Sequence, residues 1–314
     1  MKLKGALIGF GKIAQTAHMQ AFQSEHLKSL VEIAAVVEPN VKNREISIHQ
    51  FPFIKFYSSI EELLKNENLD FIDITTPPKY HSELIIEGVE NNLHIICEKP
   101  FTFNSAEAEN ISKILKLSNL VFILCHQYRF SPLWRNFKEA IELNKFGNAL
   151  LQFNVYRENA DLGLTVFDSP WRIDKNLSGG GILADTGIHY LYLSNWMLGK
   201  PLQVTSKIFN LNHADYKVED TSIVIVEFEK GIAEITLTWA ANKRDNTARL
   251  ILPGKSLTYN GGDSLIKNNA GVTEIIKVFD VSQKSHYSTL YTELFLETLQ
   301  NLYKYRNFHL DLVF

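Results

Sequence analysis

Cysteine is scarce in this chain: Cys97 and Cys125 are the only two in 314 residues. Both sit inside apolar, strand-like runs. Buried free thiols in a reducing compartment are therefore expected, and a disulfide framework is not. Long apolar runs are missing too. None approaches the roughly 20 residues that a membrane-spanning helix needs, so no membrane partner is expected. Neither sign of charge dominates, with 32 Lys and Arg against 35 Asp and Glu for a net of -3. That balance offers no basic footprint for nucleic acid. There is no H-E-x-x-H and no cysteine cluster, so no metal is expected. Met1 runs straight into a strand pattern with no leader ahead of it, which predicts a cytoplasmic protein. Repeats and low-complexity tracts are absent.

What is present is an ordinary globular balance, 45% hydrophobic and 21% charged, on a chain long enough for two cores. Strand patterns at Leu3–Gly9, Val31–Val37, Phe53–Tyr57, Phe71–Ile74, His94–Cys97 and Val121–Leu124 alternate with helix patterns. The helices cover Ile13–Ser24, a segment capped by Ser58 or Ser59 with Glu61 and Glu62 behind it, Tyr80–Asn92 and Ser105–Leu117. Such alternation predicts a parallel sheet with crossover helices. After Cys125 the pattern changes. Helices are predicted at Leu133–Leu143, closed by Phe146-Gly147-Asn148, from Gly179–Gly181 through Leu198, and at Tyr287–Tyr303. Strands are predicted at Leu150–Arg157, Gln203–Phe209, Thr221–Phe228, Ile232–Trp239, Ala248–Leu252, Ser256–Tyr259 and Thr273–Val278. This half reads as an α+β domain with a large, mostly antiparallel sheet and helices on one face. The domains are expected at 1–124 and 125–314. The junction near Cys125–Phe130 has no linker character, so they should pack closely.

Gly9-Phe10-Gly11-Lys12-Ile13-Ala14 is a G-x-G-x-x-A at the end of the first strand. Gly9 permits a tight turn, Gly11 lets a pyrophosphate approach the backbone at a helix N-terminus, and Ala14 lets helix and strand pack closely. In this strand–helix–strand frame the motif predicts a bound dinucleotide. Glu38 ends the second strand, where an acid binds ribose hydroxyls and repels a 2′-phosphate. NAD is favoured, and Lys42 and Arg44 keep NADP open. Thr75, Thr76 and Pro77 end the fourth strand and suit packing on a cofactor. Two readings stand for His81, helix-end capping and cofactor contact.

Glu98-Lys99-Pro100 follows the fifth strand, where ligands bind in an open α/β sheet. Lys99 there places a positive charge and proton donors beside the cofactor. Farther along, Ser178-Gly179-Gly180-Gly181 precedes Asp185 and His189, four residues apart. The glycines let another molecule approach the backbone. The spacing puts both side chains on one helical face, where the carboxylate would raise and orient the imidazole as a base. A capping or ion-pair network of no catalytic use is the other reading. Arg129, Trp171 and Arg172 are candidates to line a substrate pocket, an arginine taking a carboxylate or phosphate, or to pack structurally.

The G-x-G-x-x-A, Glu98-Lys99-Pro100, Tyr128-Arg129-Phe130…Pro132 and Gly180-Gly181…Asp185…Gly187…His189, in this order over about residues 3 to 300, resemble the glucose–fructose oxidoreductase / inositol dehydrogenase (Gfo/Idh/MocA) family. The resemblance implies an N-terminal Rossmann domain and a nicotinamide-dependent oxidoreductase acting on a sugar, cyclitol or related alcohol. It implies homodimers or homotetramers built through the open face of the second sheet. It also implies that Lys99 contacts substrate and nicotinamide ribose, that Asp185 positions substrate and that His189 is the general acid/base. Two other activities occur on related chains, a non-catalytic nucleotide-sensing regulator and an NAD-dependent glycosidase with no net redox. Glu158–Pro170 carries no distinctive motif, and substrate choice is expected to be encoded there. The segment Asn307–Phe314 lies beyond the last helix pattern.

Overall fold

The computed structural model describes residues 2–144, 147–161, 170–279 and 286–304, with side chains through residue 299. Phe146, most of Glu158–Pro170 and Asn307–Phe314 lie outside the described residues.

The first half is a six-stranded parallel sheet. Its strands are β1 (Leu3–Ile8), β2 (Val31–Val37), β3 (Lys55–Tyr57), β4 (Phe71–Ile74), β5 (His94–Cys97) and β6 (Phe122–Leu124), in the order β3-β2-β1-β4-β5-β6. The crossovers run in both directions from β1, so a crevice opens between the carboxyl ends of β1 and β4. The crossover helices are α1 (Met19–Phe22), entered through a π-helical turn at Ala14–His18, then α2 (Val41–Gln50), α3 (Ile60–Asn66), α4 (His81–Glu90) and α5 (Ser105–Leu117). Local capping starts them where the sequence suggests. Ser59 accepts a hydrogen bond from the Glu62 amide, while the Glu62 carboxylate accepts from the Ser58 amide, a reciprocal arrangement that satisfies exposed donors. Asn104 caps α5 by accepting from the Glu107 amide, and its side-chain amide donates back to the Glu107 carboxylate.

The second half begins with α6 (Pro132–Glu142) and β7 (Ala149–Tyr156). A short α7 (Lys175–Ser178) and a second π-helical turn, Leu183–Gly187, lead into α8 (Ile188–Leu198). Then come β8 (Pro201–Phe209), β9 (Thr221–Phe228), β10 (Gly231–Thr238), β11 (Asp245–Leu252), β12 (Lys255–Tyr259), β13 (Ser264–Asn269) and β14 (Val272–Lys277), before α9 (Tyr287–Lys304). With β7 these form an eight-stranded sheet, β14-β13-β12-β11-β7-β10-β9-β8. Every pair is antiparallel except β7 with β10, which is parallel. Residues along β7, β9 and β10 alternate between the helix-covered core and the other face, as a half-buried sheet requires.

One continuous apolar core runs from Leu7 and Phe22 through Cys125, Tyr128 and Phe137 to Phe153 and Leu237. The expected close packing of the two halves is therefore present. The last helix returns to the first half: Phe295 stacks on Phe22, ring centroids 4.7 Å apart, and Tyr291 donates a hydrogen bond to Glu98. Three elements had no sequence forecast, α2, the short α7 and β13. Helix α2 leaves Val41, Ile46 and Ile48 exposed, so it has no apolar stripe to read. Strand β13, Ser264–Asn269, is mostly polar and is defined by its partners.

Candidate active site

The cofactor end is built from strand termini. Gly9 has φ +90°, and a Cβ there would sit 3.0 Å from the Thr76 methyl and 3.2 Å from the Thr76 amide. Only glycine takes that conformation without strain in so little room. Gly11, Lys12 and Ile13 lead from this turn into the π-helical turn. Thr75 donates to the Gly9 carbonyl at 2.7 Å, tying the ends of β1 and β4. The Thr76 hydroxyl is buried with no hydrogen-bond partner among the described residues, and Thr76 lines the cleft. A positive-φ glycine turn beside an unpartnered hydroxyl at a sheet's switch point fits a dinucleotide.

Glu38, Phe10 and His81 are placed differently from the simplest expectations. The Glu38 carboxylate is turned onto the chain itself, accepting from the amides of Phe10 (3.1 Å) and Asn40 (2.9 Å) and from the Asn43 side chain (2.7 Å). Arg44 donates to the Glu38 carbonyl. The Phe10 ring is buried against Phe51 and Phe56, so its backbone faces the turn. Cofactor contact by His81 is corrected: the ring is fully buried between the carbonyls of Thr76 and Pro100, each 2.9 Å from a ring nitrogen, and the neutral ring donates to one of them. It braces the loops after β4 and β5, and burial lowers its pKa.

A cleft of about 750 Å³ opens where the two sheets meet, and Lys12, Thr76, Lys99, Asp185 and His189 all line it. Lys99 Nζ donates to the Asp185 carbonyl at 2.9 Å and lies 3.8 Å from Asp185 Oδ1. Arg172 Nε donates to the same carboxylate oxygen at 3.2 Å, and its guanidinium lies 4.3 Å from the centre of the Trp171 ring. Burial pulls the Asp185 pKa up, but Lys99 and Arg172 outweigh it and the net shift is downward. The carboxylate is ionised and belongs to these two cations.

His189 is therefore not oriented by Asp185, a correction to the spacing argument. Its Nδ1 lies 3.0 Å from the Tyr192 hydroxyl, which also accepts from the Tyr128 amide. Its ring stacks on Tyr128 at 4.1 Å. Its pKa is lowered well below 6.5, first by burial and then by Lys99, His126 and Arg157. The expected upward shift is reversed first because the ring is buried, and then because cations are nearby and the carboxylate is already engaged. Arg129 is also corrected: it is absent from the cleft lining, and its guanidinium sits 5.3 Å from the Trp196 ring centre. The glycine run serves the chain rather than a ligand. The Glu219 carboxylate accepts from the amides of Gly181 (2.9 Å) and Leu183 (3.2 Å). A Cβ at Gly181 would lie 1.9 Å from the Glu219 carbonyl oxygen. Gly181→Ala is expected to lose about 1–3 kcal/mol of stability through backbone displacement, read as a lower urea midpoint.

Sequence reasoning missed a buried polar cluster beneath the cleft. His18 is wholly enclosed, with Nδ1 2.7 Å from Asp73 and Nε2 3.0 Å from Glu98. Burial opposes its charge, but Asp73 and then Glu98 outweigh burial and raise its pKa to about 9. The signal was available: Asp73 interrupts the apolar run Phe71–Ile74, and a charge inside a buried strand needs a partner. The Lys99 amide donates to the other Glu98 oxygen at 3.1 Å. The cluster thus underlies the lysine of the cleft.

A doubly wound sheet with a glycine turn at its switch point, joined to a second domain whose Asp185 and His189 line the same cleft, fits one class: dinucleotide-dependent oxidoreductases. Comparison with known proteins narrows the class. Residues 3–126 match the model of an oxidoreductase family with an NAD-binding Rossmann fold, and residues 134–257 match the GFO/IDH/MocA C-terminal domain. The chain belongs to the Gfo/Idh/MocA oxidoreductase family, and its first half is that family's NAD-binding domain. An uncharacterized oxidoreductase of Schizosaccharomyces pombe is 24% identical over 299 residues, 92% of this chain and 79% of that one. A myo-inositol 2-dehydrogenase of Thermotoga maritima is 23% identical over 229 residues, 72% of this chain and 65% of that one. The structure of levoglucosan dehydrogenase in complex with NADH and L-sorbose superposes with a TM-score of 0.80 at 19% identity, covering 96% of this chain and 90% of that one. No helix among the described residues is long and apolar enough to cross a membrane.

Proposed function

We propose that this protein transfers a hydride between a secondary alcohol of a sugar, cyclitol or sugar derivative and NAD, with residues 1–124 holding the cofactor and 125–314 the substrate. One observation carries the proposal: Lys99, Asp185 and His189, from opposite walls, line a single cleft at the switch point of the cofactor sheet. When bound, NAD supplies the hydride acceptor; the chain supplies the rest. Gly9, Phe10, Gly11, Lys12 and Ile13 form the phosphate turn, with Glu38 at the ribose end and Thr75, Thr76, Pro77 and Glu98 along the crevice. With the His189 proton on Nδ1 and donated to Tyr192, Nε2 keeps its lone pair and accepts the hydroxyl proton. Lys99 stabilises the developing alkoxide. Asp185 fixes Lys99 and Arg172 in place and positions substrate beside Trp171. The myo-inositol and levoglucosan dehydrogenases support the carbohydrate class.

The uncovered face of the second sheet exposes Phe209, Ile223, Ile225 and Ile232, and the edge strand β8 leaves Val204 and Ile208 exposed on its other side. An apolar surface of this extent supports association into a homodimer or homotetramer. A cytoplasmic location completes the proposal.

Incubation with NAD and a panel of inositols, aldoses, uronates and UDP-sugars tests it. Net NADH accumulation with at least one member is the expected result. Product without net NADH points to the glycosidase chemistry of the same fold, and no turnover with any member points to a sensing role.

A further inference from the structure

Glu158 and Arg244 are among the charges lining the cleft, and several of the others sort into pairs. Lys12 pairs with Asp161 at 3.4 Å. Glu98 faces the cationic His18. Lys99 and Arg172 share the single charge of Asp185. Arg157 also lines the cleft, and its side chain has no ion pair or hydrogen bond among the described residues. Its backbone is fixed: its amide donates to the Thr238 carbonyl at 2.8 Å, and its carbonyl accepts from the Ala241 amide at 2.9 Å. Its charge acts on both Asp185 and His189, which places it at the reacting end. Two positive charges there are thus uncompensated. Alkoxide stabilisation needs one, and Lys99 supplies it. The other, Arg157, is a half-buried guanidinium with nothing to bind, an arrangement that is costly unless a ligand anion completes it.

We propose that Arg157 binds a carboxylate of the substrate, so that the enzyme acts on a sugar acid, a uronate or aldonate, in preference to the neutral sugar. The proposal rests on the oxidoreductase reading above and names its substrate class. In the reaction the carbinol C–H bond breaks and its electron pair passes as hydride to NAD. The hydroxyl proton goes to His189, a C=O bond forms and the carboxylate is unchanged. A cofactor pyrophosphate is the other anion in the cleft. It belongs at the glycine turn and helix start, whereas Arg157 sits beside Asp185 and His189.

Matched pairs test the idea: glucuronate against glucose, galacturonate against galactose, mannuronate against mannose, and glucose 6-phosphate as a phosphate arm. Each is assayed with wild type, Arg157→Leu and Arg157→Lys, and the Kd for NADH is measured in parallel. The acid of at least one pair is expected to be favoured roughly 10- to 100-fold in kcat/KM, the range of a charged hydrogen bond. Arg157→Leu should erase that preference while NADH binding stays as in wild type, and Arg157→Lys should keep part of it. Net NADH from neutral sugars with no preference for acids overturns the proposal and leaves the oxidoreductase reading standing. A phosphate preference, or weakened NADH binding in Arg157→Leu, assigns the arginine to another anion and also overturns it. No net NADH from any compound removes both.

Discussion

His189→Ala lowers kcat by roughly 10²- to 10⁴-fold, the usual contribution of a positioned general base, and leaves NADH binding intact. The separation of the two effects follows from where the ring lies. His189 sits on α8 at the second-half wall of the cleft, stacked on Tyr128 and hydrogen-bonded to Tyr192, and the glycine turn and Thr75 lie on the first half. In the proposed mechanism, removing the imidazole takes away the proton acceptor and leaves the proposed dinucleotide contacts in place. Stopped-flow measurement of NADH formation reads the first effect, and fluorescence titration with NADH reads the second. A variant that retained normal turnover would remove His189 from the mechanism. Lys99→Ala is expected to lose turnover on a similar scale, because it withdraws the cation facing the alkoxide and releases Asp185 from its partner.

The largest stability loss is expected away from the cleft surface. His18→Ala should cost about 3–5 kcal/mol, the penalty for breaking a buried ion pair. It leaves the buried carboxyls of Asp73 and Glu98 without the cation between them. Asp73 is already pushed upward by burial, with His18 pulling the other way, and Glu98 is held low by His18 against its own burial. The same cluster sets a pH dependence in wild type. The His18 pKa rises from 6.5 to about 9 on folding, so the folded state holds more protons between those values. Its stabilisation is complete below about 6.5 and is lost as pH rises through about 9. Urea unfolding across that range should show stability declining with pH, and His18→Ala should lack that decline. Equal stability of the two proteins at pH 6.5 would contradict this account of the cluster.

The parallel half was readable because buried strands write continuous apolar runs, and turn and cap chemistry marks where they stop. Val31–Val37 and His94–Cys97 match their predicted limits for that reason. The parallel pairing of β7 with β10 was not readable, because alternation shows which face is buried and not which strand lies alongside. In the cleft, Lys99, Asp185 and His189 were legible as residues, and their partnerships were not. Four-residue spacing predicts neighbours on a helix; Asp185 instead meets Lys99, 86 positions away, and Arg172. His189 then finds Tyr192, burial, and the electrostatic field of Lys99 and Arg157. Gly181 looked like an opening for a ligand, but the close approach belongs to Glu219, which nothing near it in sequence announces. Arg157 was passed over as the end of an alternating strand, and only the pairing of Lys12, Lys99 and Arg172 with acids in the same cleft makes it conspicuous.

The central claim is that a neutral His189 accepts the substrate proton, and the pH profile of kcat/KM for NAD reduction tests it most directly. Protonated His189 cannot act as the base, so the rate falls as pH drops through the lowered pKa. The account predicts an acid limb well below 6.5, absent from the residual activity of His189→Ala. An acid limb at or above 6.5, or one that persists unchanged in His189→Ala, would contradict it.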